Sequence, residues 1–191
     1  MAEAGCLRDA RFQNLEVNGN LLVSGNNGSK VTRTVTTSAF PDVNGTTFGG
    51  VNFNVVWPKN TYLTAVNVYI STGAIASATA TDDTIINIAD GTNAIVGSAT
   101  SVNKDTPTAP GAAGFVLFAA NTNRTIGSVG NIPTANIGTS NAARFSTSDR
   151  LFSGVIYHDA NGTNDGNGDG GDAITGNSAV LYVVFEGFRI P

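Results

Sequence analysis

Apolar and polar side chains alternate nearly one for one along Val51–Trp57 (VNFNVVW), and a similar period runs through Tyr62–Ser71 (YLTAVNVYIS) and Ala179–Phe188 (AVLYVVFEGF). A period of two collects the apolar side chains on one face of an extended strand and scatters them around a helix. Each segment therefore reads as a strand with one buried face. Charged residues form only 13% of the 191, against about 25% in ordinary soluble domains. Lys, Glu and Arg are the residues that cover helix surfaces, so their scarcity beside 23 glycines also points away from helices. The expected class is all-β.

Further strands follow at fairly regular intervals. Val31–Thr37 is β-branched and suits a half-exposed strand. Thr84–Ala89 and Ala94–Val96 flank Asp90-Gly91, a hairpin signal. Gly114–Ala119 (GFVLFA) is a continuous apolar run of buried-strand length, Arg124–Val129 is a weaker candidate, and Leu151–Tyr157 completes the set. About eight strands separated by turns favour a β-sandwich, with a jelly-roll-like order the main expectation. Helix has openings only at Gly73–Ala78 (GAIASA) and Asn141–Arg144. Ahead of these strands, Arg11–Gly25 places Phe12, Leu15 and Val17, then Leu21 and Val23, around Asn18-Gly19-Asn20. That is a strand, tight turn, strand pattern, and two strands alone are marginal in water. The chain is accordingly divided into an N-terminal arm or ribbon for assembly, residues 1–30, and a β-sandwich domain, residues 31–191. Phe12, Leu15, Val17, Leu21 and Val23 are the expected assembly contacts.

Ten Lys and Arg against fourteen Asp and Glu give a net charge of −4, which offers no electrostatic footprint for nucleic acid or an anionic membrane. Neither is expected as a partner. Cys6 is the single cysteine and His158 the single histidine, so neither an internal disulfide nor a Cys/His zinc cluster can form. Cys6 reads as an incidental or buried thiol. No apolar run reaches the roughly 18 residues of a spanning helix, and the start lacks a basic, then apolar, signal segment. Synthesis in a cytoplasm without export is the expectation. The Asn-x-Ser/Thr triplets at Asn27, Asn44, Asn123 and Asn161 read as turns.

Three places invite chemistry. His158 could serve as a general base, yet no nucleophile elbow accompanies it, and a histidine at a strand end is the preferred reading. Asp159–Asp172 (DANGTNDGNGDGGD) contains Asp165, Asn167 and Asp169 followed by Gly170, the opening of an oxygen-ligand calcium loop. The twelfth position is Gly176, so the bidentate Glu is missing, and a solvated loop is preferred to a calcium site. The paired Asp82-Asp83 imitates a glycosidase carboxylate but precedes a strand directly. Trp57, before Pro58, reads as a core or interface anchor, and no cluster of Trp and Tyr suggests a sugar platform. No catalysis and no resident cofactor are expected.

The N-terminal FQNLEVNGNLLVSG resembles the L-x-V-x-G-x-L-x-V-x-G ribbons of bacteriophage and large-virus fibre and capsid-surface proteins. VNFNVVWPKNTYLTAVNVYIST and AVLYVVFEGFRIP, with Asn/Thr/Gly-rich loops between, are similar to the β-sandwich domains of virion decoration, or cement, proteins. The resemblance implies a homotrimer on the outer surface of an icosahedral capsid, made in the host cytoplasm, bound to the major capsid protein and stabilising the shell. A tail-fibre or head-fibre receptor-binding domain of lectin-like character is the alternative.

Overall fold

The computed structural model describes residues 30–42, 50–76, 83–91, 93–97, 114–119, 123–138, 144–159 and 175–190. Most of these residues are strand: β1 Lys30–Thr36, β2 Gly50–Trp57, β3 Thr61–Thr72, β4 Ala74–Ile75, β5 Asp83–Ala89, β6 Ala94–Val96, β7 Phe115–Phe118, β8 Arg124–Thr125, β9 Val129–Ile132, β10 Arg150–Asp159 and β11 Val180–Arg189. Among the described residues a 3-10 turn lies at Thr134–Asn136. The expected N-terminal ribbon, with Phe12, Leu15, Val17, Leu21 and Val23, lies outside the described residues, as do Cys6 and Asp82.

Pairing is antiparallel throughout the described strands. One sheet has the order β1-β11-β3-β9 and the other β2-β10-β5-β6, while β7 joins β5 and β4 pairs β8 in a short ribbon. β10 holds one edge of β5, so β6 and β7 share its other edge, β6 at Ile88–Ala89 and β7 at Thr84–Ile86. The pairs are nested: β1 with β11, β2 with β10, β3 with β9, and β5 with β6 and β7. Successive pairs alternate between the two sheets, which pack face to face as a sandwich.

The alternation read from the sequence decides which side chains enter the space between them. Val51, Phe53, Val55 and Trp57 of β2 are buried, as are Leu181, Val183 and Phe185 of β11. Trp57 stacks on Phe152 of β10 with ring centroids 6.2 Å apart, and Phe185 from the opposite sheet stands 6.4 Å from Trp57 and 5.9 Å from Phe152. The Trp57 indole N–H donates to the Thr61 carbonyl at 3.2 Å, so the ring is buried with its polar atom satisfied. The expected anchor role of Trp57 is thus a core role. In β1, half-buried and exposed positions alternate, with Val31 and Val35 packed against the core.

Three expectations need correction. Arg124–Val129 is two strands, because the Ser128 N–H returns to the Thr125 carbonyl at 2.9 Å in a tight turn. Gly127 occupies it at φ 87, a conformation that costs glycine nothing. Within GAIASA, Ala74–Ile75 is strand β4, held by cross-strand pairing to Arg124–Thr125 that local helix propensity cannot outweigh. The first strand also begins at Lys30, one residue inside the expected arm.

Where β11 passes the end of β2, Gly187 sits at a register shift against β3. A Cβ there would lie 2.1 Å from the Tyr62 carbonyl oxygen and 2.7 Å from the Trp57 ring. Gly187→Ala is therefore expected to lower unfolding stability by about 1–3 kcal/mol, read as a fall in the urea midpoint at unchanged slope.

Candidate functional site

The single histidine is enclosed rather than presented. His158 is the penultimate residue of β10, fully buried, and opposite Thr84 of β5. Its ring meets Phe40 edge-on with centroids 4.9 Å apart. The Asn177 Oδ1 lies 3.2 Å from His158 Nε2 and also accepts the Ala76 backbone N–H at 3.0 Å. That second bond fixes which end of the Asn177 amide faces the ring, so Nε2 carries the proton and donates. The Asn177 N–H in turn donates to Asp42 Oδ1 at 2.9 Å. His158 thus pins the end of β10 to the segments after β1, after β4 and before β11. A buried imidazole in this position ties three segments of the sandwich together.

Beyond His158, Asp159 stands opposite Asp83 in the β10–β5 register. Asp165, Asn167 and Asp169 lie outside the described residues. Among the described residues no group of three or more His, Cys, Asp or Glu could hold a metal ion.

At the other end of β10, Arg150 and Asp90 form an ion pair with side chains only 8% and 11% exposed. Arg150 Nε and Nη2 both donate to Asp90 Oδ2, the former at 2.8 Å, and the guanidinium lies over the Phe152 ring at 5.1 Å. Asp90 Oδ1 accepts the Asn93 N–H at 3.0 Å, closing the β5–β6 turn read from Asp90-Gly91. A cavity of about 380 Å³ opens beside the pair, between Gly91, Asp149, Leu151 and Ser153. Of its charged groups, Arg150 and Asp90 engage each other, and Asp149 Oδ1 accepts the Lys59 backbone N–H at 2.8 Å.

The outward face of the β1-β11-β3-β9 sheet carries what the sequence did not reveal. Register aligns Thr36, Tyr182, Tyr69 and Val129 in one row across the four strands, and Thr34, Val184, Asn67 and Asn131 in the next. Tyr182, Tyr69 and Val129 are 44%, 37% and 49% exposed. Asn131 Nδ2 donates to Asn67 Oδ1. The following rows hold Thr32, Glu186 and Ala65, then Lys30, Phe188 and Tyr62; Lys30 pairs with Glu186 at 2.7 Å, and Tyr62 and Phe188 stack at 5.4 Å. Tyr69 and Tyr182 are far apart in sequence, and each occupies the outward phase of its strand's alternation, so only the register joins them.

No family model and no curated protein matches the chain. Among solved structures, the capsid asymmetric unit of cyanophage Pam1 aligns with 99% of this chain and 100% of the matched chain at 13% identity, with a TM-score of 0.37. That score is too low for the likeness to bear on function.

The Arg150–Asp90 pair generates a stability prediction. Asp90→Ala leaves a buried guanidinium without its counter-charge and should cost about 3–5 kcal/mol in chemical unfolding. Asp90→Ala combined with Arg150→Met should recover most of that loss, because the double change removes the stranded charge as well.

Proposed function

We propose that this chain is a structural virion protein, a capsid decoration protein that binds the outer capsid surface and stabilises the shell. The observation that carries the reading is the placement of its ionisable side chains. His158 is enclosed and tied to Asn177, and Arg150 and Asp90 neutralise each other beneath the surface, so these groups hold the sandwich together. An outward sheet face of Tyr, Val, Thr and Asn is suited to contact rather than reaction. The nested strand pairing supports reading the sandwich as a jelly roll. The resemblance of FQNLEVNGNLLVSG to capsid-surface ribbons supports the virion assignment. In this reading residues 1–30 supply the attachment arm, with Phe12, Leu15, Val17, Leu21 and Val23 packing against the major capsid protein or other copies in a homotrimer. The tail-fibre or head-fibre reading differs in copy number and in what fails when the chain is lost.

Particles from a genome lacking this reading frame should release their contents at a lower temperature than complete ones, because each bound copy adds interface free energy only to the intact shell. Added purified protein should restore the midpoint. Protein lacking residues 1–25, or carrying Leu21→Asp with Val23→Asp, should restore it poorly, since charge would sit on the ribbon's apolar face. His158→Ala should restore it fully at temperatures where the variant is folded. Equal rupture temperatures with and without the protein would reject the decoration role, and loss of host adsorption with an unchanged shell would favour the fibre reading.

A further inference from the structure

We infer that β2 is the edge through which two copies of this chain join, each pairing antiparallel with the other's β2 about a twofold axis at Phe53, so that one sheet continues from copy to copy. The contact lies within the described residues and rests neither on the capsid reading nor on the N-terminal arm.

Sheet order leaves β1, β9, β2 and β6 at the edges of the two main sheets. Three of these edges are guarded. β1 carries Lys30 and, on its inward phase, Arg33, whose Nη1 donates to the Thr32 carbonyl at 3.2 Å. β9 has four residues and runs into Pro133. β6 has three, and it is covered by the Val96–Ile137 bridge and by the Gly138 N–H bonded to the Ile95 carbonyl at 2.7 Å. Charge, shortness and cover are the usual means by which a sheet edge resists another strand.

β2 has none of them. It is eight residues long, meets β10 without a register shift, and holds neither a charged side chain nor a proline between Gly50 and Trp57. In an antiparallel strand alternate residues turn their N–H and C=O groups away from the neighbour. Beyond the β10 ladder, the backbone of Gly50–Trp57 makes no hydrogen bond among the described residues. Donors and acceptors repeating at this spacing fit an extended backbone.

A second copy is selected because β2 complements itself. Val51, Phe53 and Val55 are buried, while Asn54 and Val56 are exposed. Antiparallel pairing keeps the apolar phase of both strands on one side only when a residue, not a peptide bond, lies on the axis. With Phe53 there, Val51 stands opposite Val55 of the second copy, and Asn52 opposite Asn54. The Asn52 amide is shielded from solvent, and neither its Nδ2 nor its Oδ1 has a hydrogen-bond partner. Asn54 Oδ1 accepts the Ser153 hydroxyl at 2.8 Å, which leaves the Asn54 Nδ2 to donate. Directly opposite residues hold their Cβ atoms about 4.5–5.5 Å apart, within reach of two amide side chains. Twofold symmetry forms the Asn54-to-Asn52 bond twice. An axis at Asn54 would instead set Asn52 against Val56 and leave its amide unpaired.

Sedimentation equilibrium of the full chain over a concentration series tests the contact, and the wild type should associate in pairs. Asn54→Lys changes an exposed residue, places like charges on diagonal positions across the axis, and should weaken pairing about tenfold or more. Asn54→Asp should do the same. An equimolar mixture of the two variants should associate more strongly than either alone, an outcome that misfolding cannot produce. In a Cys6→Ser background, Asn52→Cys mixed with Asn54→Cys should form an interchain disulfide more readily than either alone, because opposite residues lie within disulfide range. A wild type that stays unpaired at every concentration overturns the proposal, as does an Asn54→Lys variant that associates like the wild type. Preferential cross-linking of Asn54→Cys with itself overturns the register.

Discussion

The contact of Trp57 and Phe152 with Phe185 across the interior is the interaction on which the rest of the sandwich depends. Two antiparallel sheets do not hydrogen-bond to each other; only side chains between them set their separation and relative position. Large flat rings from both sides lock that arrangement, and losing one such ring typically costs about 3–5 kcal/mol. Phe53 extends the cluster toward Phe185 at 6.3 Å. Gly187 lets the β11 backbone pass close to the Trp57 ring and the Tyr62 carbonyl. The turn after Trp57 is drawn in by the indole bond to Thr61, with Asn60 in the left-handed region at φ 54. An asparagine tolerates that conformation better than most residues.

With the interior fixed in this way, the ionisable side chains divide by position along β10. His158 ties one end to the segments around Phe40, Ala76 and Asn177, while Arg150 ties the other to the β5–β6 turn. Burial of a histidine or an arginine is expensive unless each polar atom is engaged, so a chain that encloses both gains specificity of register at those ends more than net stability. The opposite face of this sheet is also partly closed. Ile85, Val155 and Tyr157 form a second buried cluster there, which is why β5 is buried along most of its length instead of alternating.

The four-stranded sheet differs in that several described residues on its outer surface are exposed. Its first strand in sequence, β1, lies at an edge among the described strands and carries Arg33 between Val31 and Val35 on its inward phase. An inward charge on an edge strand opposes the addition of another strand there. The outward face of the same sheet leaves Tyr69, Tyr182 and Val129 exposed.

The sequence by itself determined the strands, because period-two alternation and turn residues act over a few positions: Val51–Trp57, Tyr62–Ser71, Leu151–Tyr157 and Ala179–Phe188 each became a strand within one or two residues of the expected bounds. It also determined that Trp57 is an anchor and that Asp90-Gly91 is a turn. It could not place a boundary inside Arg124–Val129, where one glycine turn outweighed the apolar pattern. Its two assembly and metal expectations, the ribbon around Leu21 and Val23 and the trio Asp165, Asn167 and Asp169, fall outside the described residues. Only the tertiary structure decided that His158 is enclosed, that Arg150 finds Asp90, and that Tyr69 and Tyr182 share a row. Alternation tells a side chain which face of its strand it occupies, but which strand lies beside it is set by nested, long-range pairing, and no local pattern encodes that partner.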